Sequence, residues 1–225
     1  NTDKQLLYDI KDSIINGFTW TVRKGPLCEE AIYNVKFQLT DLTLMNDDDD
    51  KVNNITRMKR LIMPTVRKAA NAAIMTAVPQ LMEPMYYIEA ICPNNDTYKV
   101  NKMLKTRRGY IDSIEKMIGT TMCKIYGYIP LMESFGFETL LRYHTKDEIF
   151  VSSTFNHWQI VPGNPLDKNI KFKPLEKVEN EYLAREYMIK TRRRKGLPYD
   201  IIYSDYFDET MLSTLKDEGL EYLFF

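Results

Sequence analysis

The most concentrated chemistry in the sequence is a run of cations at the end of a helical pattern. Its members are Lys190, Arg192, Arg193, Arg194 and Lys195. Guanidinium and ammonium groups donate hydrogen bonds to phosphates and carboxylates, and arginine can donate two in parallel. The alternative is that the cations only stabilise the carbonyl end of the helix, which carries a partial negative charge. Three consecutive arginines point in different directions around a helix, so they cannot all stabilise its carbonyl end. The run is therefore a candidate contact for phosphates or for an acidic protein.

A second, smaller group of cations lies at the end of another predicted helix. Its members are Lys102, Lys105, Arg107 and Arg108. Such a group is more often a solvated helix end than a binding site, and we interpret it in that way. Aromatic side chains that could stack RNA bases are limited to Tyr126 and Tyr128 on one predicted strand face. Recognition of RNA bases is therefore the weaker hypothesis.

Residues for catalysis or metal binding form no recognisable motif. The sequence lacks the Gly-x-x-x-x-Gly-Lys-Ser/Thr loop that holds phosphates and the Asn-Lys-x-Asp sequence of GTPases. The two histidines, His144 and His157, fall at a helix end and a strand end, where packing or capping is expected. Cys28, Cys92 and Cys123 are widely spaced, which predicts neither a disulfide framework nor a zinc site and fits a reducing compartment. We expect no catalytic, cofactor or metal site in this chain.

The overall charge gives no reason to expect binding to nucleic acid or membranes along the whole surface. The 225 residues include 31 basic and 31 acidic side chains, so the formal net charge is zero. Attraction to an anionic partner must come from local clusters. We find no signal-peptide pattern and no apolar run of membrane length. Because the chain enters a helical pattern directly from Asn1, without methionine, we expect it to be a piece of a larger protein.

The first eighty residues are predicted to form two helices and a strand. Apolar residues at positions 6–15 recur at helical spacing, and Gly17 is expected to end that helix. Alternating apolar and polar residues at positions 35–44 predict a strand. A second helix is predicted to start near Met63, because Pro64 is favoured in the first turn of a helix.

An acidic interruption separates the predicted strand from the second helix. Residues 46–54 read Asn-Asp-Asp-Asp-Asp-Lys-Val-Asn-Asn, with the four aspartates at Asp47 to Asp50. The simplest interpretation is a solvated loop of mutually repelling carboxylates. The alternative is a site for a cation or a basic partner. A calcium loop would need ligands at alternate positions around a glycine turn, and that pattern is absent.

Residues 81–162 alternate between strand and helix patterns. The order is strand, helix, strand, strand, helix, strand, which is the split β-α-β unit of ferredoxin-like domains. Both helices are then expected to cover one face of a four-stranded sheet. Ser134 is expected to cap the second helix, and Phe155 is expected to pack against Leu141 in the core, so that Phe155→Asp would be strongly destabilising. The predicted elements are residues 85–92, 96–106, 109–118, 122–129, 134–144 and 148–158.

The remaining segment, residues 163–225, is predicted to be a helical extension. Residues 179–195 form a helical pattern that carries the five cations, and Gly196 and Pro198 are expected to end it. A further short helix is predicted at residues 207–216. The apolar residues 222–225 are expected to dock against the protein, because four exposed apolar side chains at a chain end would be unusual.

Several segments resemble elongation factors. Ser134-Phe-Gly-Phe, followed by a strand that ends in His157-Trp, is similar to the fifth domain of the elongation factor 2 class of GTPases. Residues 159–168 and 183–197, the latter including the basic run, are more particular. They resemble the elongation-factor-2-like GTPases of the spliceosome's U5 small nuclear ribonucleoprotein.

The resemblance implies an α+β chain made of two small two-layer α/β domains and a helical tail. Residues 1–80 would be a partial domain IV, similar to ribosomal protein S5. Residues 81–162 would be the ferredoxin-like domain V, which agrees with the strand and helix order found above. Residues 163–225 would be a C-terminal extension that contains the basic helix.

The resemblance also implies a role in pre-mRNA splicing in the nucleus. The complete protein would be a GTPase that holds GTP and Mg²⁺ in an upstream domain, whereas this fragment would have no catalysis of its own. It would relay nucleotide state to the large scaffold protein and the RNA helicase of the same particle during spliceosome activation and disassembly. The basic run would contact these proteins or small nuclear RNA phosphates. No membrane partner is implied.

The alternative is that the chain resembles domains IV and V of a ribosomal translocase. In that class the tip of domain IV carries His-Arg-Gly-Gly-Gly-Gln before Ile-Ile-Pro, and its histidine is converted to diphthamide. Residues 55–64 here read Ile-Thr-Arg-Met-Lys-Arg-Leu-Ile-Met-Pro, with neither the histidine nor the glycines. This departure, together with the basic tail, favours the spliceosomal class.

Overall fold

The chain, seen in a computed structural model, is described over residues 2–40, 42, 51–146, 148–168, 172 and 177–217, with the side chains of these residues except those at 2–7, 9, 51–59, 204 and 210. It divides into two compact units. One, here the discontinuous unit, combines Asn1–Pro79 with Gly163–Phe225; the other, here the sheet unit, is Gln80–Pro162. The predicted extension at residues 163–225 thus shares a compact unit with residues 1–79.

The regular secondary structure described in the discontinuous unit is entirely helical. Its helices are α1 (Thr2–Arg23), α2 (Lys51–Thr76), α6 (Leu183–Arg194) and α7 (Glu209–Asp217). Two short 3₁₀ turns, Asn180–Tyr182 and Tyr203–Asp205, accompany the last two helices. The predicted apolar end at residues 222–225 lies outside the described residues. No helix in the described part of the chain is both long and apolar enough to span a bilayer.

The prediction that Gly17 ends the first helix is wrong, because α1 continues to Arg23. Gly17 instead lies where α1 packs against α2. A Cβ atom added there would lie 2.7 Å from the carbonyl oxygen of Met63 on α2. The residue is therefore needed for the close approach of two helices rather than for termination.

The prediction that the second helix starts near Met63 is also wrong, because Pro64 lies inside α2. Proline has no backbone N–H, so the carbonyl of Arg60 loses its usual helical donor. The Thr65 hydroxyl donates to the neighbouring Leu61 carbonyl at 2.8 Å. Burial of Ile62 and Met75 on either side of the proline holds the helix together across the interruption.

The strand predicted at residues 35–44 is not found where the structure describes that stretch, since residues 35–40 and 42 are neither helix nor strand. Alternation marks a segment that can pair, but a strand needs a neighbour to satisfy its backbone hydrogen bonds. No strand occurs among the described residues of the discontinuous unit. The acidic residues Asp47 to Asp50 lie outside the described part of the chain.

The sheet unit confirms the predicted order of strands and helices. Its elements are β1 (Met82–Pro93), α3 (Thr97–Thr106), β2 (Tyr110–Lys116), β3 (Met122–Pro130), α4 (Leu131–Ser134), α5 (Phe137–Thr145) and β4 (Phe150–Ile160). The strands pair in the order β2-β3-β1-β4, and each pair is antiparallel. With the helices of both units, the described chain is α+β, as expected.

One face of the sheet forms the core with α3 and α5. Strand β1 contributes every second residue, and β3 contributes the residues directly opposite, such as Ile125 across from Ala90. Val100 and Leu104 of α3 and Phe137 and Leu141 of α5 cover them. The buried cluster consists of Ile88, Ala90, Cys92, Val100, Leu104, Cys123, Ile125, Ile129, Phe137, Leu141 and Ile149.

The helix predicted at residues 134–144 is broken in two, and Ser134 is not its N-cap. Gly136 occupies the N-cap position of α5 with φ of +71°, a conformation that glycine adopts without the cost of a Cβ clash. The Ser134 hydroxyl donates instead to the Leu131 carbonyl at 2.8 Å. Arg107 Nη1 donates to the carbonyls of Glu133 at 2.7 Å and Phe135 at 2.8 Å, which satisfies acceptors at the break.

The prediction that Phe155 is buried in the core is wrong. Phe155 is 54% exposed, whereas Leu141 is fully buried. Phe155 lies on β4, which is an edge strand of the sheet. The strand has a bulge directly after Phe155, since Tyr86 pairs with Phe155 whereas Met85 pairs with His157. Its ring packs edge-to-face on Trp158 at 6.0 Å instead.

Candidate partner-binding site on the basic helix

Helix α6 ends where the glycine and proline of the sequence predicted. The N–H of Leu197 donates to the carbonyl of Arg192 at 2.9 Å, and the N–H of Gly196 donates to that of Arg193 at 3.2 Å. Gly196 has φ of +70°. These two bonds form a Schellman motif, which satisfies the last carbonyls of the helix without help from side chains. The arginines of the last turn are therefore not required as caps.

Arg192 is a buried structural cation, with 5% of its surface exposed. Its Nε donates to the carbonyl of Pro198 at 2.7 Å, and its Nη2 to that of Asp200 at 3.2 Å. Its Nη1 donates to the carbonyl of Leu27 at 2.7 Å and approaches that of Pro26 at 3.5 Å. The guanidinium thus joins the segment after α6 to the segment after α1, and it is not available to a partner.

Lys195 is also used within the unit. Its Nζ donates to the carbonyls of Cys28 at 2.9 Å and Glu29 at 3.1 Å, and it forms an ion pair with Glu30. Lys190 pairs with Glu186 one turn earlier at 2.6 Å, with 56% of the lysine side chain exposed. The Glu186 side chain is 18% exposed. An i,i+4 pair whose lysine is solvated contributes only about 0.3–0.5 kcal/mol, so a stronger partner can replace it.

Arg193 and Arg194 remain as the outward-facing members of the predicted site. Both are exposed at the end of α6. Neither side chain forms a hydrogen bond or an ion pair with any other described residue. The structure therefore separates the five predicted cations into two that hold the fold, one in a weak surface pair and two that are unpaired within the described chain.

Sequence reasoning missed a second buried cation, Arg185. Its Nη1 donates to the carbonyl of Pro165 at 3.2 Å, and its Nη2 forms an ion pair with Asp200. A signal was present in the sequence. Arg185, Met188 and Arg192 are three and four residues apart, so they lie on one face of the helix, and the structure buries all three.

The cysteine beneath the basic helix is held as a neutral thiol. Burial raises the pKa of Cys28 to about 11, although the nearby charges of Arg192 and Lys195 act in the opposite direction. The Cys28 thiol donates a weak hydrogen bond to the Met188 carbonyl at 3.8 Å. Burial likewise raises the pKa of Tyr206 in the same unit. These groups pack rather than react.

The second basic cluster is divided in the same way. Arg107 binds the carbonyls at the α4–α5 break, as described above. Arg108 forms a buried ion pair with Glu83. Burial raises the pKa of Glu83, and Arg108 partly offsets that effect. Lys102 and Lys105 are exposed, which agrees with the interpretation of a solvated helix end.

No metal site is found in the part of the chain that the structure describes. There, no group of three or more histidine, cysteine, aspartate or glutamate side chains is arranged to hold an ion. His157 lies against the Tyr128 ring at 5.6 Å, and its Nδ1 donates a hydrogen bond to Asn156 Oδ1 at 2.8 Å. His144 follows Tyr143 on α5, with their rings 5.4 Å apart.

Comparisons with known proteins match both units. Residues 2–77 match the family model for elongation factor G, domain IV, and residues 80–169 match that for the elongation factor G C-terminus. The chain is 43% identical over 216 residues to the 109 kDa U5 small nuclear ribonucleoprotein component GFL of Arabidopsis thaliana. It is also 43% identical over 216 residues to the 110 kDa U5 component CLO of the same plant.

A fungal relative gives the same result. The chain is 41% identical over 220 residues to the pre-mRNA-splicing factor cwf10 of Schizosaccharomyces pombe. These alignments cover 96–98% of this chain but only 21–22% of the relatives, so the chain spans about a fifth of their length. The chain thus carries elongation factor G domain IV and C-terminal sequences, and it is 41–43% identical to U5 small nuclear ribonucleoprotein components and a splicing factor over nearly its whole length.

Proposed function

We propose that this chain is the non-catalytic relay and docking part of an elongation-factor-2-like GTPase that acts in pre-mRNA splicing in the nucleus. The similarity to U5 components and to a splicing factor supports this assignment over the ribosomal alternative. The absence of the histidine and glycines expected at residues 55–64 of a translocase supports it independently.

GTP and Mg²⁺ would be bound by another part of the longer protein. The sequence of this chain contains no phosphate-binding loop, and the family models that it matches are those of domain IV and the C-terminus. The chain would relay nucleotide state to the particle's large scaffold protein and its RNA helicase. Isothermal titration calorimetry of the chain with GTP and Mg²⁺ should show no heat of binding, and micromolar affinity would contradict this division of roles.

The observation that carries the docking role is the rigid presentation of Arg193 and Arg194. Arg192 and Lys195, on either side of them, are bonded to backbone carbonyls of residues 26–29. The helix end is thus fixed before a partner arrives, so binding does not have to order it. The two exposed guanidinium groups that project from this fixed helix end can each form a forked pair with a phosphate or a carboxylate.

The test is capture of U5 particles from nuclear extract by the immobilised chain and by two double variants. Arg193→Gln/Arg194→Gln removes the two unpaired charges. Lys102→Gln/Lys105→Gln removes two exposed charges from the sheet unit and is the matched control. We expect the arginine variant to recover several-fold less U5 RNA and protein, with the difference shrinking between about 50 and about 200 mM salt. The control should recover as much as the unmodified chain.

Nuclease treatment of the extract separates the two possible contacts of Arg193 and Arg194. Loss of the arginine-dependent capture after RNA digestion identifies RNA phosphates as the contact. Its persistence identifies an acidic protein surface. Equal recovery by both variants across the salt series would contradict a docking role for the end of α6.

A further inference from the structure

The face of the sheet opposite the core carries a continuous row of aromatic rings. Tyr87 on β1 is directly opposite Tyr128 on β3, and Tyr128 is directly opposite Tyr110 on β2. Tyr126 lies two residues before Tyr128 and shares its face. These four tyrosines alternate with core residues along their strands, so none of them contributes to the core cluster. We call this surface the tyrosine face.

The rings contact one another across three strands. Tyr87 and Tyr126 are stacked with an interplanar angle of 10° and centroids 6.1 Å apart. The Tyr128 ring lies 5.4 Å from that of Tyr87 and 5.3 Å from that of Tyr110. His157 on β4 adds a fifth ring, 5.6 Å from Tyr128. Tyr110 remains 45% exposed and the others are half-buried, so the row presents ring surface to solvent.

Carboxylates surround the rings. Glu89 is directly opposite Tyr126, and the Tyr126 hydroxyl donates to Glu115 at 3.3 Å. Partial burial is the largest of the causes that raise the pKa of Tyr87 above its ordinary value. The negative charges of neighbours such as Glu89 and Asp112 raise this pKa further. Lys124, directly opposite Glu115, is the one lysine or arginine on this face of the four strands, all of which the structure describes. The tyrosine face is therefore acidic as well as aromatic.

We propose that the tyrosine face binds arginine side chains of a partner protein segment. A guanidinium group stacks flat on an aromatic ring and donates hydrogen bonds from its edge to carboxylates, and this surface offers both partners side by side. RNA bases could stack on the same rings, but their phosphates would then lie near Glu89, Asp112 and Glu115. The charge of the surface therefore selects a basic protein rather than RNA.

This inference goes beyond the docking role proposed for α6. It concerns the other compact unit and the opposite sign of charge, and it does not depend on Arg193 or Arg194. The two surfaces would recognise different partners, one acidic or phosphate-bearing and one basic. Failure of either proposal leaves the other standing.

The test measures binding of fluorescently labelled probes to the full 225-residue chain by anisotropy. The probes are a (Arg-Gly-Ser)₄ peptide, the matching (Lys-Gly-Ser)₄ peptide and a single-stranded oligouridine. We expect the arginine peptide to bind about fivefold more tightly than the lysine peptide, since both carry equal charge but arginine stacks better. Oligouridine should bind more weakly than either peptide.

Variants then place the binding on the tyrosine face. Tyr87→Leu and the double variant Glu89→Gln/Glu115→Gln should each weaken the arginine peptide at least severalfold. Tyr87→Phe, which keeps the ring, should bind as the unmodified chain does. Tyr143→Leu on α5, where the side chain is 81% exposed, and Glu138→Gln/Glu148→Gln are the matched controls and should not change affinity.

Circular dichroism confirms that each variant is folded, and Glu89→Gln/Glu115→Gln keeps the proposal testable if Tyr87→Leu does not fold. Three results would overturn the proposal. These are equal affinity for the arginine and lysine peptides, tighter binding of oligouridine, and absence of any effect of the tyrosine-face variants relative to their controls. The last result includes the case in which no probe binds at all.

Discussion

Apolar side chains fill the interior of the sheet unit, whereas guanidinium groups fill part of the interior around α6 in the discontinuous unit. Ile125 and Leu141 fill the first interior, each with 1% or less of its surface exposed. Arg185 and Arg192, at 4% and 5% exposed, occupy the second and bond to backbone carbonyls. The first kind of core needs only volume and burial, while the second needs specific acceptors at specific positions.

The spacing of apolar residues along the sequence predicts the first kind of core but not the second. The residues of an apolar core recur along the sequence at the spacing of a helix or a strand, so the order of elements in residues 81–162 could be predicted. A cationic core looks like surface, because arginine is almost never fully buried unless it is paired. Substitutions in the two units measure how far this contrast extends.

The largest effect is expected for Arg192→Met. This change removes the donors to the carbonyls of Leu27, Pro198 and Asp200, and the bond to Leu27 is buried. We expect a loss of about 3 to 5 kcal/mol in the free energy of unfolding, because an acceptor left without a donor costs about 1 to 3 kcal/mol. Urea denaturation of the full chain measures it, with Arg194→Met as the matched control at less than about 0.5 kcal/mol. Equal losses in the two variants would remove the contrast between the two cores.

A slightly smaller effect is expected for Leu141→Ala in the sheet unit. Leu141 is fully buried, and its truncation leaves a cavity that costs about 2 to 4 kcal/mol. The neighbouring Leu140, 40% exposed, provides the control, and Leu140→Ala should cost about 1 kcal/mol or less. Hydrogen exchange should place the loss in β1, β3 and α5. Protection lost equally outside Gln80–Pro162 would show that the two units do not unfold separately.

The pH dependence of Glu83 tests the one buried ion pair described in the sheet unit. Burial raises its pKa in the folded state from the ordinary value of 4.5, so the folded chain binds this proton more tightly than the unfolded chain does. Its contribution to stability is therefore greatest below that value and falls as the pH rises through the folded-state pKa. The unfolding free energy of the unmodified chain minus that of Glu83→Gln should decline with rising pH. An increase over the same range would mean that Arg108 outweighs burial.

The smallest effect is expected for Phe155→Asp. A buried Phe155 would make this change cost several kcal/mol, but the side chain is 54% exposed on an edge strand. We now expect about 1 kcal/mol or less, since a surface charge stays solvated. Thermal denaturation compared with that of Leu141→Ala gives the ratio directly. A loss of stability as large as that of Leu141→Ala would mean that Phe155 is buried in the core.

The fold was predictable where local pattern and tertiary structure agree. The six elements predicted for residues 81–162 follow from the period of apolar residues, but the break at Gly136 that separates α4 from α5 does not, because a helical stripe continues across it. In the discontinuous unit the intrinsic preferences of Gly17 and Pro64 predict helix boundaries at these residues. Packing between α1 and α2 overrides both preferences, and only the structure shows that packing.

Charge along the sequence could predict which residues form the candidate site, but it could not predict which of them are buried and which face solvent. The run at residues 190–195 was found by charge density, which gives no information on which cation turns inward. Spacing from Met188 distinguishes Arg192 from Arg193, and that test could have been applied to the sequence. The acceptors of Arg192 could not have been predicted, because Leu27 lies 165 positions earlier in the chain.

That separation has a consequence for the order in which the protein folds during synthesis. The carbonyls of Leu27 and Cys28 receive their donors from Arg192 and Lys195, 165 and 167 positions later. The sheet unit, Gln80–Pro162, is contiguous and can close as soon as it leaves the ribosome. The carbonyls after α1 stay hydrated until α6 has been synthesised and can donate to them. Contacts of long sequence separation therefore form last. The stretch after α1 is thus translated before the sheet unit but completed after it.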